Sequence, residues 1–236
     1  MFPLICKGQY EFEKYPKLEY QSFFNWKTYE NESKVDNTST IPNFFPNGDE
    51  ITIQLTSFKE HWFENSSIRI FRNKNQIIHV SENMGFPPIG LDSVRVADIN
   101  GDGLKDLKLI CPYMGNGLAS LNVRVIYLIQ KPNNGFTKIS FDDKMDFRSD
   151  RRERDFDGDG KYEIITMQVR GFEKHNYWVF NLYNLVDNKL VNANEKGNYP
   201  IMVQLLNKET FQITKNLSRE KMKSFEAKLP EKYDLK

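Results

Sequence analysis

The chain has 236 residues, 39% hydrophobic and 14% aromatic, with 33 basic and 32 acidic side chains giving a formal net charge of +1. That apolar content supports a single packed domain spanning 1–236, within the size range of all-β sandwiches and barrels. The charge balance leaves no field to gather nucleic acid or an anionic membrane, and no apolar run reaches the roughly 18 residues of a spanning helix. The opening Met1-Phe-Pro-Leu-Ile-Cys6 has neither a basic n-region nor a small-residue cleavage site, so it does not read as a signal peptide.

In chain order the strands announce themselves by alternation and by turn residues. Ile51-Thr-Ile-Gln-Leu55 reads as a strand, and residues 67–80 read as a hairpin turning at Asn73-Lys-Asn75. Val94-Arg-Val-Ala97 alternates as a half-buried strand and leads into the loop 98–106, which leaves through Leu107-Lys-Leu-Ile110. A second hairpin over 123–139 turns at Asn133-Asn-Gly135. The loop 155–163 then feeds Ile164-Ile-Thr-Met167, and a third hairpin over 177–191 turns at Asp187-Asn-Lys189. The spacing predicts a C-terminal helix over 218–229, with Ser218 as N-cap and Met222, Phe225 and Leu229 on one face before Pro230 stops it.

The two loops carry the chemistry. Asp98, Asn100, Asp102 and Asp106 in the first, and Asp155, Asp157, Asp159 and Glu163 in the second, occupy positions 1, 3, 5 and 9. Glycine stands at position 6, and Leu104 and Lys161 at position 7 would each offer a backbone carbonyl. A hard divalent cation takes six to eight oxygens near 2.4 Å, and alternate residues of a tight loop can aim carboxylates at one centre. Three carboxylates in the first loop and four in the second would otherwise repel one another. An EF-hand would need a bidentate Glu at position 12, where this chain has Leu109 and Thr166. The loops are therefore read as strand–loop–strand calcium sites, two in number.

Asp98 recurs as Asp155, and Asp106 as Glu163, at an interval of 57 residues in both cases. The same step backward from Asp106 reaches Asp49, ahead of the strand at Ile51. There Ile41, Asn43 and Phe45 fill the earlier ligand positions, and no metal is expected. The repeats are 41–97, 98–154 and 155–215, and about four such units fill the chain. Four short strands per unit at a fixed period predict an all-β, propeller-like array of antiparallel units with a short C-terminal helix.

The Asp-x-Asn/Asp-x-Asp-Gly-x-x-Asp/Glu loop, followed by a strand and accompanied by a Tyr-Leu…Asn-Gly-Phe hairpin, resembles the FG-GAP/VCBS repeat. The likeness is closest over 90–170 and looser over 41–90 and 170–215. That resemblance implies calcium-bearing propeller blades of the integrin α-subunit type, although the chain is too short for seven blades. In size it is similar to small bacterial propeller-like proteins of the group, some of which resemble lysozyme inhibitors or immunity proteins. The resemblance thus implies a calcium-stabilised, non-catalytic binding protein with a protein partner. Extracellular calcium modules bind at Kd on the order of 10⁻⁴–10⁻³ M, which favours the periplasm, the cell surface or secretion.

Catalytic chemistry is sparse. His61, His79 and His175 have no zinc-ligand spacing, and no nucleophile elbow, P-loop or dinucleotide fingerprint is present. His79 is expected to pack in its strand. The rival readings are a carbohydrate-active or other hydrolytic enzyme using the loop face, and a surface adhesion or scaffold module. Arg151-Arg-Glu-Arg154 reads as charge compensation for the acidic loop beside it, with a partner-binding basic patch as the alternative. The aromatic groups at 23–26, 61–63 and 177–178 read as core, or as anchors for a protein or sugar where exposed. Segments 84–90, 111–118 and 171–175 read as inter-strand loops, the surface on which binding residues usually sit. Cys6 and Cys111 could pair in an oxidising compartment, but nothing in the sequence fixes their geometry, and two independent thiols are the favoured expectation.

Overall fold

The computed structural model describes residues 21–30, 37–56, 66–82, 93–112, 117–145, 153–195, 199–204, 218–226 and 231–235. In chain order the strands are β1 (Gln21–Ser22), β2 (Lys27–Glu30), β3 (Thr38–Ile41), β4 (Ile51–Thr56), β5 (Ser67–Arg72) and β6 (Asn75–Ser81). They continue with β7 (Ser93–Ala97), β8 (Asp106–Pro112), β9 (Asn122–Gln130), β10 (Phe136–Lys144), β11 (Arg154–Asp155) and β12 (Ile164–Phe172). The last are β13 (His175–Val186), β14 (Lys189–Asn192), β15 (Ile201–Gln204), the helix α1 (Arg219–Lys223) and β16 (Glu231–Leu235). The protein is all-β, with antiparallel strand pairings and one short α-helix among the described residues.

The strand order groups the strands around the two acidic loops and the segment 41–49. A strand enters each loop, and three antiparallel strands follow it: β3 then β4-β5-β6, β7 then β8-β9-β10, β11 then β12-β13-β14. In the first two groups all four strands share a sheet, whereas β11 pairs with β1 and, among the described residues, bridges to the strands after its loop through Arg154↔Glu163. Strands from outside the repeats extend the sheets. β2 pairs with β7, β16 with β10 and β15 with β13.

The chain divides into two compact units, one of residues 1–23, 151–185 and 190–229, the other of 24–150, 186–189 and 230–236. In the larger unit, one apolar cluster draws Ile41, Ile53, Ile68 and Ile70 from the β3–β6 sheet and Leu107, Leu109, Ile126 and Phe136 from the β7–β10 sheet. The alternation of β4, in which Ile51, Ile53 and Leu55 are buried, is the half-buried pattern expected of that segment. In the other unit, Tyr177, Val179, Met202 and Phe225 form a smaller cluster, with Phe172 packed against it.

Two-residue turns join several hairpins. Asn73-Lys74, Glu173-Lys174 and Asp187-Asn188 have both φ values positive, the type I′ geometry that matches strand twist. The turn at Glu173-Lys174 corrects one expectation. Residues 171–175 are not a loop, because Phe172 pairs with His175 and the strands run up to the turn. Cys111 and Pro112 likewise belong to β8. His79 is exposed rather than packed, because the period-2 alternation of β6 places Ile78 inside.

The C-terminal helix is shorter than the expected 218–229. Ser218 is its N-cap and accepts from the Lys221 N–H, but regular helix ends at Lys223. The Ser224 hydroxyl donates to the Lys221 carbonyl at 2.7 Å, a local bond that competes with further helical pairing. Met222 and Phe225 are buried as expected, Phe225 edge-on to Phe172 at 5.3 Å. Residues 227–229, with Leu229, lie outside the described residues, as do the segments 61–63 and 84–90 and Cys6. No helix among the described residues is long and apolar enough to cross a membrane.

Candidate metal centres

Both acidic loops are built on one hydrogen-bonding plan. In the first, Asp98 accepts the Gly101 and Asp102 N–H groups through Oδ1 (2.7 and 3.1 Å) and the Gly103 N–H through Oδ2 (2.8 Å). In the second, Asp155 accepts from Gly158 (2.7 Å) and Gly160 (3.0 Å). At position 3, the Oδ1 atoms of Asn100 and Asp157 accept the N–H two residues on, from Asp102 and Asp159. At position 5, Asp102 and Asp159 accept from Leu104 and Lys161, 2.8 Å in each loop. These short side-chain-to-backbone bonds coil the chain in both loops, and in the second the side chains at positions 1, 3 and 5 converge.

The coil requires left-handed backbone at positions 4 and 6, occupied by Gly101 and Gly103 and by Gly158 and Gly160, all with φ between +75° and +83°. The sequence reading singled out only position 6. The glycine at position 4 was the signal missed, and the same steric argument applies to it.

Position 9 locks each loop onto its following strand. Asp106 and Glu163 are both buried, and each accepts the N–H of position 2, from Ile99 at 3.1 Å and from Phe156 at 2.8 Å. Asp106 also accepts the Gln130 N–H at 2.9 Å, tying the loop to the end of β9. Burial pushes the Asp106 carboxyl up to about 7 despite those two donors, with Asp102 and Asp98 adding repulsion.

The second loop satisfies a geometric requirement for a cation. One carboxylate oxygen from each of Asp155, Asp157 and Asp159 lies within 4.8 Å of the other two. Ligands near 2.4 Å from a central ion cannot be more than about 4.8 Å apart. The donor set therefore fits a hard divalent cation, with oxygen ligands only. In the first loop, Asn100 Nδ2 donates to Asp102 Oδ2 at 2.9 Å, so a hydrogen bond joins the two side chains there. Leu104 and Lys161 stand at position 7, Leu104 half-buried and Lys161 exposed.

The first repeat replaces these features with a side-chain cation. Ile41 and Phe45, at positions 1 and 5, are core residues. Asp49, at position 9, pairs with Arg72 Nε at 2.6 Å, and its other oxygen accepts from Asn73 Nδ2 at 2.7 Å. The Arg72 guanidinium also lies 4.6 Å from the Phe45 ring centre. Bonds from Asn47, Asn73 and Arg72 hold the Asp49 carboxyl down at about 2.

The remaining candidates are dispersed. His175 is exposed beside Tyr177, and His79 is exposed on β6. Arg154 pairs through its backbone with Glu163, and Glu153 is buried. Phe23 packs edge-on against Tyr162 at 5.0 Å, while its neighbour Phe24 is 68% exposed. Tyr177 and Trp178 are buried. Cys111 is a free, buried thiol. No protein-family model, curated protein or solved structure matches the chain.

Proposed function

We propose that this chain is a calcium-stabilised, non-catalytic binding protein, built as a propeller-like array and recognising a protein partner in the manner of an inhibitor or immunity protein. The observation that carries the metal reading is the convergence of the Asp155, Asp157 and Asp159 oxygens in the second loop. Its support is that the first loop repeats the same backbone bonds from Asp98 and Asp102. Calcium is the preferred ion because the donors are carboxylate, amide and carbonyl oxygens, with no imidazole or thiolate among them. The three successive β-units favour the propeller-like array. Calcium there has a structural part: it offsets carboxylate repulsion and fixes the loops next to β8 and β12. Sites of this class fill where calcium is abundant, which favours a periplasmic, surface or secreted location.

Thermal unfolding in EDTA and in calcium tests the reading. A ligand bound only by the folded state at 100 times its Kd adds about 2.7 kcal/mol per site. At roughly 2–4 °C per kcal/mol for a chain of this size, each site should raise Tm by about 5–10 °C. Asp155→Ala and Asp98→Ala should each remove one equivalent of bound calcium by isothermal titration. A Tm indifferent to calcium, or unchanged stoichiometry in both variants, overturns the proposal.

A further inference from the structure

We propose that Asn188, in the turn between β13 and β14, is a positioning residue for the first acidic loop, where it holds the Asn100 carboxamide in the orientation that presents oxygen to a cation. The inference rests on the calcium reading of that loop and deepens it. Asn188 stands 88 residues along the chain from Asn100 and belongs to neither loop.

The Asn100 amide is held by three bonds. Its Nδ2 donates to Asn188 Oδ1 at 3.1 Å and to Asp102 Oδ2 at 2.9 Å, and its Oδ1 accepts the Asp102 N–H at 3.1 Å. A carboxamide carries two N–H donors on one side and an acceptor on the other, so both donors are used. Turning it over would set Oδ1 against the oxygens of Asn188 and Asp102, with no donor between them. The second loop differs at this position. Asp157 Oδ1 makes the matching bond, to the Asp159 N–H at 3.2 Å, but a carboxylate offers oxygen whichever way it turns. A hard cation takes oxygen and not an amide nitrogen, so only the first loop needs its position-3 side chain oriented. Asp102 is itself a ligand candidate, which leaves Asn188 as the acceptor from outside the loop.

The turn is placed for this contact. Residues 186–189 group with 24–150 in the larger unit, whereas 151–185 and 190–229 on either side group in the other. Asn188 is half-buried between the exposed Asp187 and Lys189. Its φ of +57° accounts for an asparagine in a type I′ turn, but glycine meets that backbone demand equally well. Asn188→Gly therefore removes the amide and keeps the turn. Partners that orient a metal ligand from outside its coordination sphere are typically worth 10–100-fold in affinity.

The test is calcium titration of the full chain by calorimetry in two backgrounds, Asp155→Ala to leave the first loop and Asp98→Ala to leave the second. Asn188→Gly should weaken binding about 10-fold or more in the first background and leave it unchanged in the second. Asn188→Asp, which keeps the acceptor, should bind at least as tightly as the parent in the first background. Melting in EDTA should be alike for parent and Asn188→Gly, showing that the turn is intact. Unchanged affinity at the first loop in Asn188→Gly overturns the proposal, as does an equal loss at both loops or a 10-fold loss in Asn188→Asp. An Asp155→Ala parent that binds no calcium overturns the calcium reading of the first loop itself, and the inference with it, a result distinct from the other three.

Discussion

Glu82 and Lys138 form an ion pair in which both side chains are nearly sealed from water, at 3% and 2% exposure. The Ser140 hydroxyl donates to the other Glu82 oxygen at 3.2 Å, so the carboxylate is held from two directions. Glu82→Gln keeps the shape but removes the charge, stranding the Lys138 ammonium in a low-dielectric setting. Breaking such a pair costs about 3–5 kcal/mol, whereas replacing both members by apolar residues is often neutral. The single substitution should therefore lower Tm by roughly 6–20 °C at about 2–4 °C per kcal/mol. The double variant Glu82→Met/Lys138→Met should recover most of that loss. Urea titration gives the global free energies, and amide exchange along β9 and β10 shows whether the loss is local to this sheet. A single-variant cost below about 1 kcal/mol, or a double variant as unstable as the two singles summed, refutes the reasoning.

Asp49 supplies a pH prediction. Its carboxyl is held at about 2 in the folded state against an ordinary value of 3.8, so its stabilising contribution is present above about pH 4. It is lost as pH falls through 4 towards 2. Asp49→Asn should flatten the stability profile in that window, read by chemical denaturation, and leave it unchanged at neutral pH apart from a constant offset. Lys74 and Lys174 sit at φ +68° in type I′ turns, where glycine avoids the Cβ penalty. Lys74→Gly and Lys174→Gly should each stabilise by about 0.5–1 kcal/mol in thermal melts, and a loss of that size in both would contradict the turn assignment. Burial pushes the Cys111 thiol well up from its ordinary range. In a Cys6→Ser chain, an aromatic disulfide reagent at pH 8 should therefore leave the native thiol untouched and titrate one thiol after unfolding. Rapid labelling of the native chain would show that β8 is not covered as described.

Elements with a local signal are legible along the chain. Alternation at Ile51, Ile53 and Leu55 marks a half-buried strand, and β4 is that strand with all three side chains buried. The loop coil was also legible, because Asp98 and Asp155 make their bonds within five residues. Ser218 as helix cap belongs to the same class. The remaining features depend on partners far along the chain. The pairing of β16 with β10 joins residues about 95 apart, and nothing in Glu231-Lys-Tyr-Asp-Leu235 names its neighbour. The same holds for β2 on β7 and β15 on β13. Arg72 as the cation for Asp49 is a cross-loop contact that the sequence offered only as a missing metal ligand. The burial of Glu82 with Lys138 depends on what covers them, and two charged residues in sequence carry no sign of that. Local bonds are set by spacing along the chain, whereas burial and edge pairing are set by which surfaces meet.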